Sequence, residues 1–327
     1  MKRMLSGIKP SGQLTLGNYI GALKEFVKYQ DEFDMYVFIA NLHTLTVYQD
    51  PETLRKNLRD TVLLYLACGL DPKKTKIFMQ SDIMEQAQLG FILSCNIYLG
   101  ELNRMTQYKD KLSKGEEGLS SGFYVYPTLM AADILAYQPD YVPVGDDQKQ
   151  HVELTRDVAV RFNNRYGETF KVPEPLIPKQ GARIMSLSDP SKKMSKSDAS
   201  DKGCIYLLDE PKVARKKVMS AVTDSINEIN YDPKHQPGVA NLLTIHSALS
   251  GISIDTLVEQ FKGQGYGTLK KAVADEVEKL LIQLQTSYKE LLDLNILTEV
   301  LVQGKASAQG IAHATLVEVQ TKVGIEI

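Results

Sequence analysis

The segment Met35-Tyr36-Val37-Phe38-Ile39-Ala40 is a continuous apolar run. A strand with one wet face alternates apolar and polar residues, whereas a strand covered on both faces does not. The run therefore predicts a strand buried on both faces. Its neighbours agree. Short strand-like pieces recur at Leu5–Ile8, Ile77–Met79 and Tyr141–Val144, separated by helical stretches near 17–29, 51–68, 85–98, 122–137 and 149–166. Pro51 suits the first turn of the second of these. Such alternation predicts an α/β fold.

The pattern changes between Ser186 and Ser200, a stretch rich in Ser, Lys, Asp and Pro. Beyond it the periodicity is helical: 211–222, 239–249, 254–261, and long runs over 269–298 and 306–323. A boundary is expected at the lysine loop, dividing the chain into 1–190 and 191–327.

With 327 residues the chain can bury a substantial core. No apolar run approaches the length of a membrane span, and the N-terminus lacks the pattern of a secretion signal. Three cysteines without metal-ligand spacing suggest a reducing compartment, so a cytoplasmic location is expected. The net charge of −2 excludes a uniformly basic nucleic-acid binder and gives no support to DNA binding. RNA would have to meet local clusters such as Lys192, Lys193 and Lys196; the triplet Arg215-Lys216-Lys217 reads rather as a solvated face.

Two segments suggest a nucleotide. In Pro10-Ser11-Gly12-Gln13-Leu14-Thr15-Leu16-Gly17-Asn18 a strand ends, a turn follows and a helix begins. A helix N-terminus offers unpaired N–H groups to phosphates, and Gly17 allows close approach. Alone, the segment reads better as a tight turn capping a helix. The second is Lys193-Met194-Ser195-Lys196-Ser197, whose ammonium groups could follow the charge that builds on a departing pyrophosphate. After the fourth strand, Gly145-Asp146-Asp147-Gln148 places carboxylates where open α/β sheets bind ligands; an Asp-rich helix cap is the alternative.

Taken together, these segments resemble the two ATP signatures of class I aminoacyl-tRNA synthetases, with Thr15-Leu16-Gly17-Asn18 in the first and Lys193–Ser197 in the second. Tyr126-Pro127-Thr128-Leu129-Met130-Ala131-Ala132-Asp133-Ile134-Leu135 resembles a helix of the bacterial tryptophanyl-tRNA synthetase family, and the resemblance spans nearly the full length. It implies a Rossmann-like catalytic domain that binds ATP and tryptophan, followed by a helical domain that reads the anticodon of tRNA(Trp). It implies a homodimer, and Mg²⁺ held mainly by the ATP phosphates with no protein metal site. By the same resemblance, Lys9, Pro10, Ser11, Gly17, Asn18, Gly145, Asp146, Asp147, Ile184, Lys193, Met194, Ser195, Lys196 and Ser197 meet ATP. Lys111, Lys193 and Lys196 stabilise the reacting phosphates.

Implied around tryptophan are Leu5, Gly7, His43, Tyr126, Met130, Val142, Val144 and Gln148, with Asp133 accepting from the indole N–H. Indole has one donor and no acceptor, which suits a carboxylate. Three positions depart from the family: Lys9 stands for a usual glutamine, Asn41 for a common aspartate and Leu5 for a frequent phenylalanine. The chemistry implied is attack of the tryptophan carboxylate on the α-phosphorus, then transfer to the terminal 2′-hydroxyl of tRNA. A tyrosyl enzyme of the same fold and a non-catalytic RNA-binding relative stay open.

Overall fold

The computed structural model describes residues 1–10, 13–113, 119–145, 148–176, 183–195 and 201–325. Strand β1 (Arg3–Ile8) leads through α1 (Leu16–Asn18), a π-helical turn (Tyr19–Leu23) and α2 (Lys24–Tyr29) to β2 (Asp34–Ile39). Helix α3 (Pro51–Ala67) opens as its sequence demands: Asp50 accepts from the Thr53 N–H at 2.8 Å and proline takes the first turn. Then come β3 (Thr75–Met79), α4 (Met84–Ser94), α5 (Leu99–Leu102), α6 (Thr106–Ser113), α7 (Ser121–Leu135), β4 (Tyr141–Pro143), α8 (Lys149–Tyr166) and β5 (Glu174–Leu176).

The strands form one parallel sheet in the order β3-β2-β1-β4-β5. The apolar run is its inner strand β2, and successive residues feed two cores. Met35, Val37 and Ile39 join one apolar cluster; Tyr36, Phe38 and Ala40 join the other. Continuous hydrophobicity thus reflects burial on both faces.

Beyond the lysine loop lie α9 (Pro211–Met219), α10 (Pro237–Ser250), α11 (Ile254–Gln260), α12 (Tyr266–Asp293) and α13 (Leu297–Val323). The first apolar cluster runs from β2 through α3 into α9, α10 and α12, so the core is continuous across residue 190. Helix α13 returns to the opposite face, where Ala308, Ala312 and Leu316 join the second cluster. Gly304 lets it lie against β3: a Cβ there would sit 1.8 Å from the Ile77 carbonyl oxygen.

Three local expectations change. The periodic run 269–298 breaks after Asp293, where Asn295 takes φ +50°, and the last helix begins at Leu297 rather than 306. Leucines and isoleucines continue through the break and hide it. The helix expected over 85–98 stops at Ser94, and α5 follows. Strand β5 carries Pro175 on the sheet edge, where a missing ladder donor is tolerated, and a proline-rich stretch gives no strand signal.

Among the described residues no helix is long and apolar enough to cross a membrane. Arg215 pairs with Asp275 and Glu278, and the buried Lys217 with Asp201 and Asp209, so two of the three charges in that cluster are spent on internal ion pairs, while Lys216 is exposed.

Candidate active site

The order β3-β2-β1-β4-β5 reverses direction between β1 and β4, and the carboxyl ends of strands at such a switch point leave a crevice. A cavity of about 510 Å³ lies there. Leu5, Gly7 and Lys9 of β1 and its exit, and Val142, Val144 and Gly145 of β4 and its exit, form its walls. Asn18, His43, Tyr126, Met130 and Gln148, also singled out in the sequence, line it as well. Gly7 has a steric reason to be glycine: a Cβ would meet the Phe38 ring at 2.4 Å, and Phe38 is itself part of the wall.

The two nucleotide segments, far apart in sequence, meet in space. Ile184 and Met194 pair through a backbone bond of 3.0 Å, and Ser186 N–H reaches the Lys192 carbonyl at 2.9 Å. Asn241 of α10 clamps this small ladder by bonding both the N–H and the carbonyl of Met185, each at 2.9 Å. A Cβ on Gly17 would lie 3.8 Å from the Cβ atoms of both Ile184 and Met194. A second seam joins Leu16 N–H to the Ile205 carbonyl and Leu207 N–H to the Leu14 carbonyl, each at 2.9 Å. Lys193 is exposed beside the ladder. Ser11, Asp146, Asp147, Lys196 and Ser197 lie outside the described residues.

Thr15 and Asn18 form a reciprocal cap at the start of α1: the Thr15 hydroxyl accepts from Asn18 N–H at 3.2 Å, and Asn18 Oδ1 accepts from Thr15 N–H at 2.9 Å. The π-helical turn follows directly, a distortion often found at functional sites. Lys9 stands on the cavity wall with its side chain exposed. Desolvation on the cavity side, and then the nearby Lys111 ammonium, lower its pKa below the usual lysine value. Lys111 lies 5.5 Å from the centre of the Phe123 ring and does not line the cavity; neither do Pro10, Ile184 or Met194.

Asp133 is fully buried on α7, one layer behind the cavity wall formed by His43, Met130 and Ile134. Its Oδ2 accepts from His43 Nε2 and from Gln80 Nε2, both at 2.7 Å, and its Oδ1 accepts from Gln86 Nε2 at 3.0 Å. His43 stands edge-on to Tyr126, with ring centres 5.9 Å apart. The Tyr126 hydroxyl bonds Gln107 Oε1 at 2.7 Å and His151 Nε2 at 2.6 Å. Burial raises the Tyr126 pKa well above that of an ordinary phenol.

The site also uses residues that the sequence did not single out: Gln80, Gln86 and Gln107 in the polar network, and Ser6, Phe26, Phe38 and Thr46 on the wall. Isolated glutamines carry no sequence signal. Phe38 could have been found by pairing it with Gly7, its parallel-strand neighbour. Among the described residues no group of three or more His, Cys, Asp or Glu could hold a metal ion.

Residues 1–282 match the family described as tRNA synthetases class I (W and Y). The chain belongs to that family. It is 53% identical over 325 residues to the tryptophan–tRNA ligase of Caldanaerobacter subterraneus subsp. tengcongensis, covering 99% of both chains. Among solved structures it is similar to tryptophanyl-tRNA synthetase from Mycoplasma pneumoniae, at TM-score 0.89 and 40% identity, covering 99% of this chain and 98% of that one. It is also similar to the Campylobacter jejuni enzyme solved with ADP and tryptophan, at TM-score 0.85 and 36% identity, covering 98% and 99%.

Proposed function

We propose that the chain is a tryptophan–tRNA ligase that activates tryptophan with ATP and then transfers it to tRNA(Trp). The observation that carries this reading is the cavity at the switch point, bounded on one side by His43 in front of Asp133. On another side Asn18, one residue from the junction of Gly17 with the lysine loop, joins the wall.

Tryptophan places its ring between Met130, Val142, Val144 and the β1 wall, with its N–H directed at Asp133. A site built around such a bond penalises phenylalanine, which has no donor. ATP lies towards α1, where Asn18 has its Oδ1 held by the cap and its Nδ2 donors left for a ligand. Lys9, Lys111, Lys193 and Lys196 provide positive charge for the phosphates. Mg²⁺ arrives with those phosphates.

The tryptophan carboxylate is already an anion at neutral pH and attacks the α-phosphorus without a protein base. Catalysis is then positioning and charge stabilisation. The 2′-hydroxyl of the terminal tRNA nucleotide next takes the aminoacyl group from the adenylate. Residues 191–327 contribute the surface for the anticodon, and the enzyme works in the cytoplasm.

We also propose a homodimer. Leu45, Tyr48, Met84, Phe91 and Leu99 are exposed, Tyr48 by 90% and Phe91 by 73%. Their elements are tied together by Asn41–Ser81 at 2.7 Å, Ser120–Thr46 at 3.5 Å and Tyr124–Leu99 at 3.4 Å. Exposed apolar side chains on neighbouring elements support that reading. Light scattering should give twice the chain mass, falling to one chain mass in Phe91→Glu; a monomeric parent protein would refute the proposal.

The test of function is amino-acid-dependent exchange of pyrophosphate into ATP with tryptophan, tyrosine and phenylalanine side by side. Exchange with tryptophan alone is expected. Exchange with tyrosine would overturn the pocket assignment, and exchange with none, in folded protein, would overturn the enzyme reading.

A further inference from the structure

The three donors on Asp133 are not equivalent. Gln80 and Gln86 are fully buried behind the carboxylate, whereas the His43 ring is partly exposed and forms part of the cavity wall. Gln80 has no freedom to turn: its Oε1 accepts from the Leu42 N–H at 3.0 Å, so its Nε2 must face Asp133. The same bond anchors the turn that carries His43. Gln86 reaches the other oxygen from α4. A carboxylate accepts at about four lone-pair sites, and the three protein donors occupy three of them.

We propose that Gln80 and Gln86 are specificity-determining positioning residues. The paired amides fix the plane of Asp133 from behind and commit it to a single N–H from the cavity side. This rests on the reading above that the cavity takes tryptophan. The reasoning is stoichiometric. Leaving an amide off would give the carboxylate spare acceptor capacity and freedom to rotate, so water or His43 could satisfy it. Preference for a ring with one N–H would then weaken, although the apolar walls that bind the ring are untouched.

The test compares tryptophan with 3-benzothienyl-alanine, an isostere with sulfur in place of N–H, in pyrophosphate exchange. The parent protein should prefer tryptophan. Gln86→Met and Gln80→Met, close in size and lacking the donor, should each lower the ratio of kcat/KM values about ten-fold, the scale of one charge-assisted hydrogen bond. For Gln86→Met, activity with the isostere and KM for ATP should change less than three-fold. Gln86→Asn and Gln80→Asn keep an amide but withdraw it by one methylene; they should behave alike and decide the matter if the methionine variants do not fold. A purely structural role would lower both substrates together and leave the ratio alone, and that result would overturn the proposal. No tryptophan-dependent exchange in the parent protein would instead overturn the functional reading beneath it.

Discussion

Two substitutions at Asp133 should separate its structural from its recognitive work. In Asp133→Asn one acceptor oxygen becomes an NH₂ group. That group cannot face Gln80, whose amide is locked by Leu42, but it can face Gln86, whose Oε1 has no partner. A flip of the Gln86 amide then restores the bond, and the carbonyl still accepts from His43 and Gln80. The fold should lose at most about 1 kcal/mol. The ring N–H loses its anionic acceptor, worth about 1.5–3 kcal/mol, so kcat/KM for tryptophan should fall about 10- to 100-fold. Asp133→Leu removes every acceptor and strands His43 Nε2, Gln80 Nε2 and Gln86 Nε2 in the interior. At about 1–3 kcal/mol for each unsatisfied donor, that costs at least about 3 kcal/mol. At about 1.5 °C per kcal/mol for 327 residues, Tm should drop at least about 4 °C. Thermal melts and pyrophosphate exchange on both variants decide it. A leucine variant melting within about 2 °C of the parent would show that the donors are not paired with this carboxylate. Unchanged kcat/KM in the asparagine variant would show that the substrate does not use it.

Gly304→Ala should cost about 1–3 kcal/mol, because the new methyl must push α13 off the β3 backbone at Ile77; an unchanged melt would contradict that packing. Tyr288 donates to the buried Asp60 at 2.9 Å, tying α12 to α3, and burial together with this bond pushes its phenol from 10.0 up to about 12. The unfolded chain therefore releases that proton first, so stability should decline as pH rises from about 10 to about 12. Tyr288→Phe should flatten this decline, and an equally steep alkaline limb in the variant would count against it. Lys9→Gln should raise KM for ATP about three- to ten-fold, less at high salt, with KM for tryptophan little changed; an unaltered KM for ATP would remove Lys9 from the phosphate site.

How far the sequence foretold these features depends on the range over which each physical signal acts. Burial on both faces writes itself into consecutive residues, so β2 is legible from Met35–Ala40, and the parallel sheet from the strand–helix alternation around it. Chemistry that needs a fixed local string is legible as well. Thr15 to Asn18 and Lys193 to Ser197 announce a nucleotide, although only the fold shows Gly17 against Ile184 and Met194. Signals carried by single residues are silent until their partners are known. Gln80 follows β3 and Gln86 lies early in α4, and nothing nearby distinguishes them from surface glutamines; they gain meaning only because both converge on Asp133.

Gly304 is the same case in backbone form. Within a helical period a glycine looks like a weak point, yet here it sets how closely α13 approaches β3. That strand ends beside Gln80, so Gly304 also supports the strand whose exit carries an amide onto Asp133. Tryptophan selectivity should therefore respond to substitutions at the α13–β3 contact, far from any residue that touches substrate, and more strongly than to substitutions on the solvent face of the same helix.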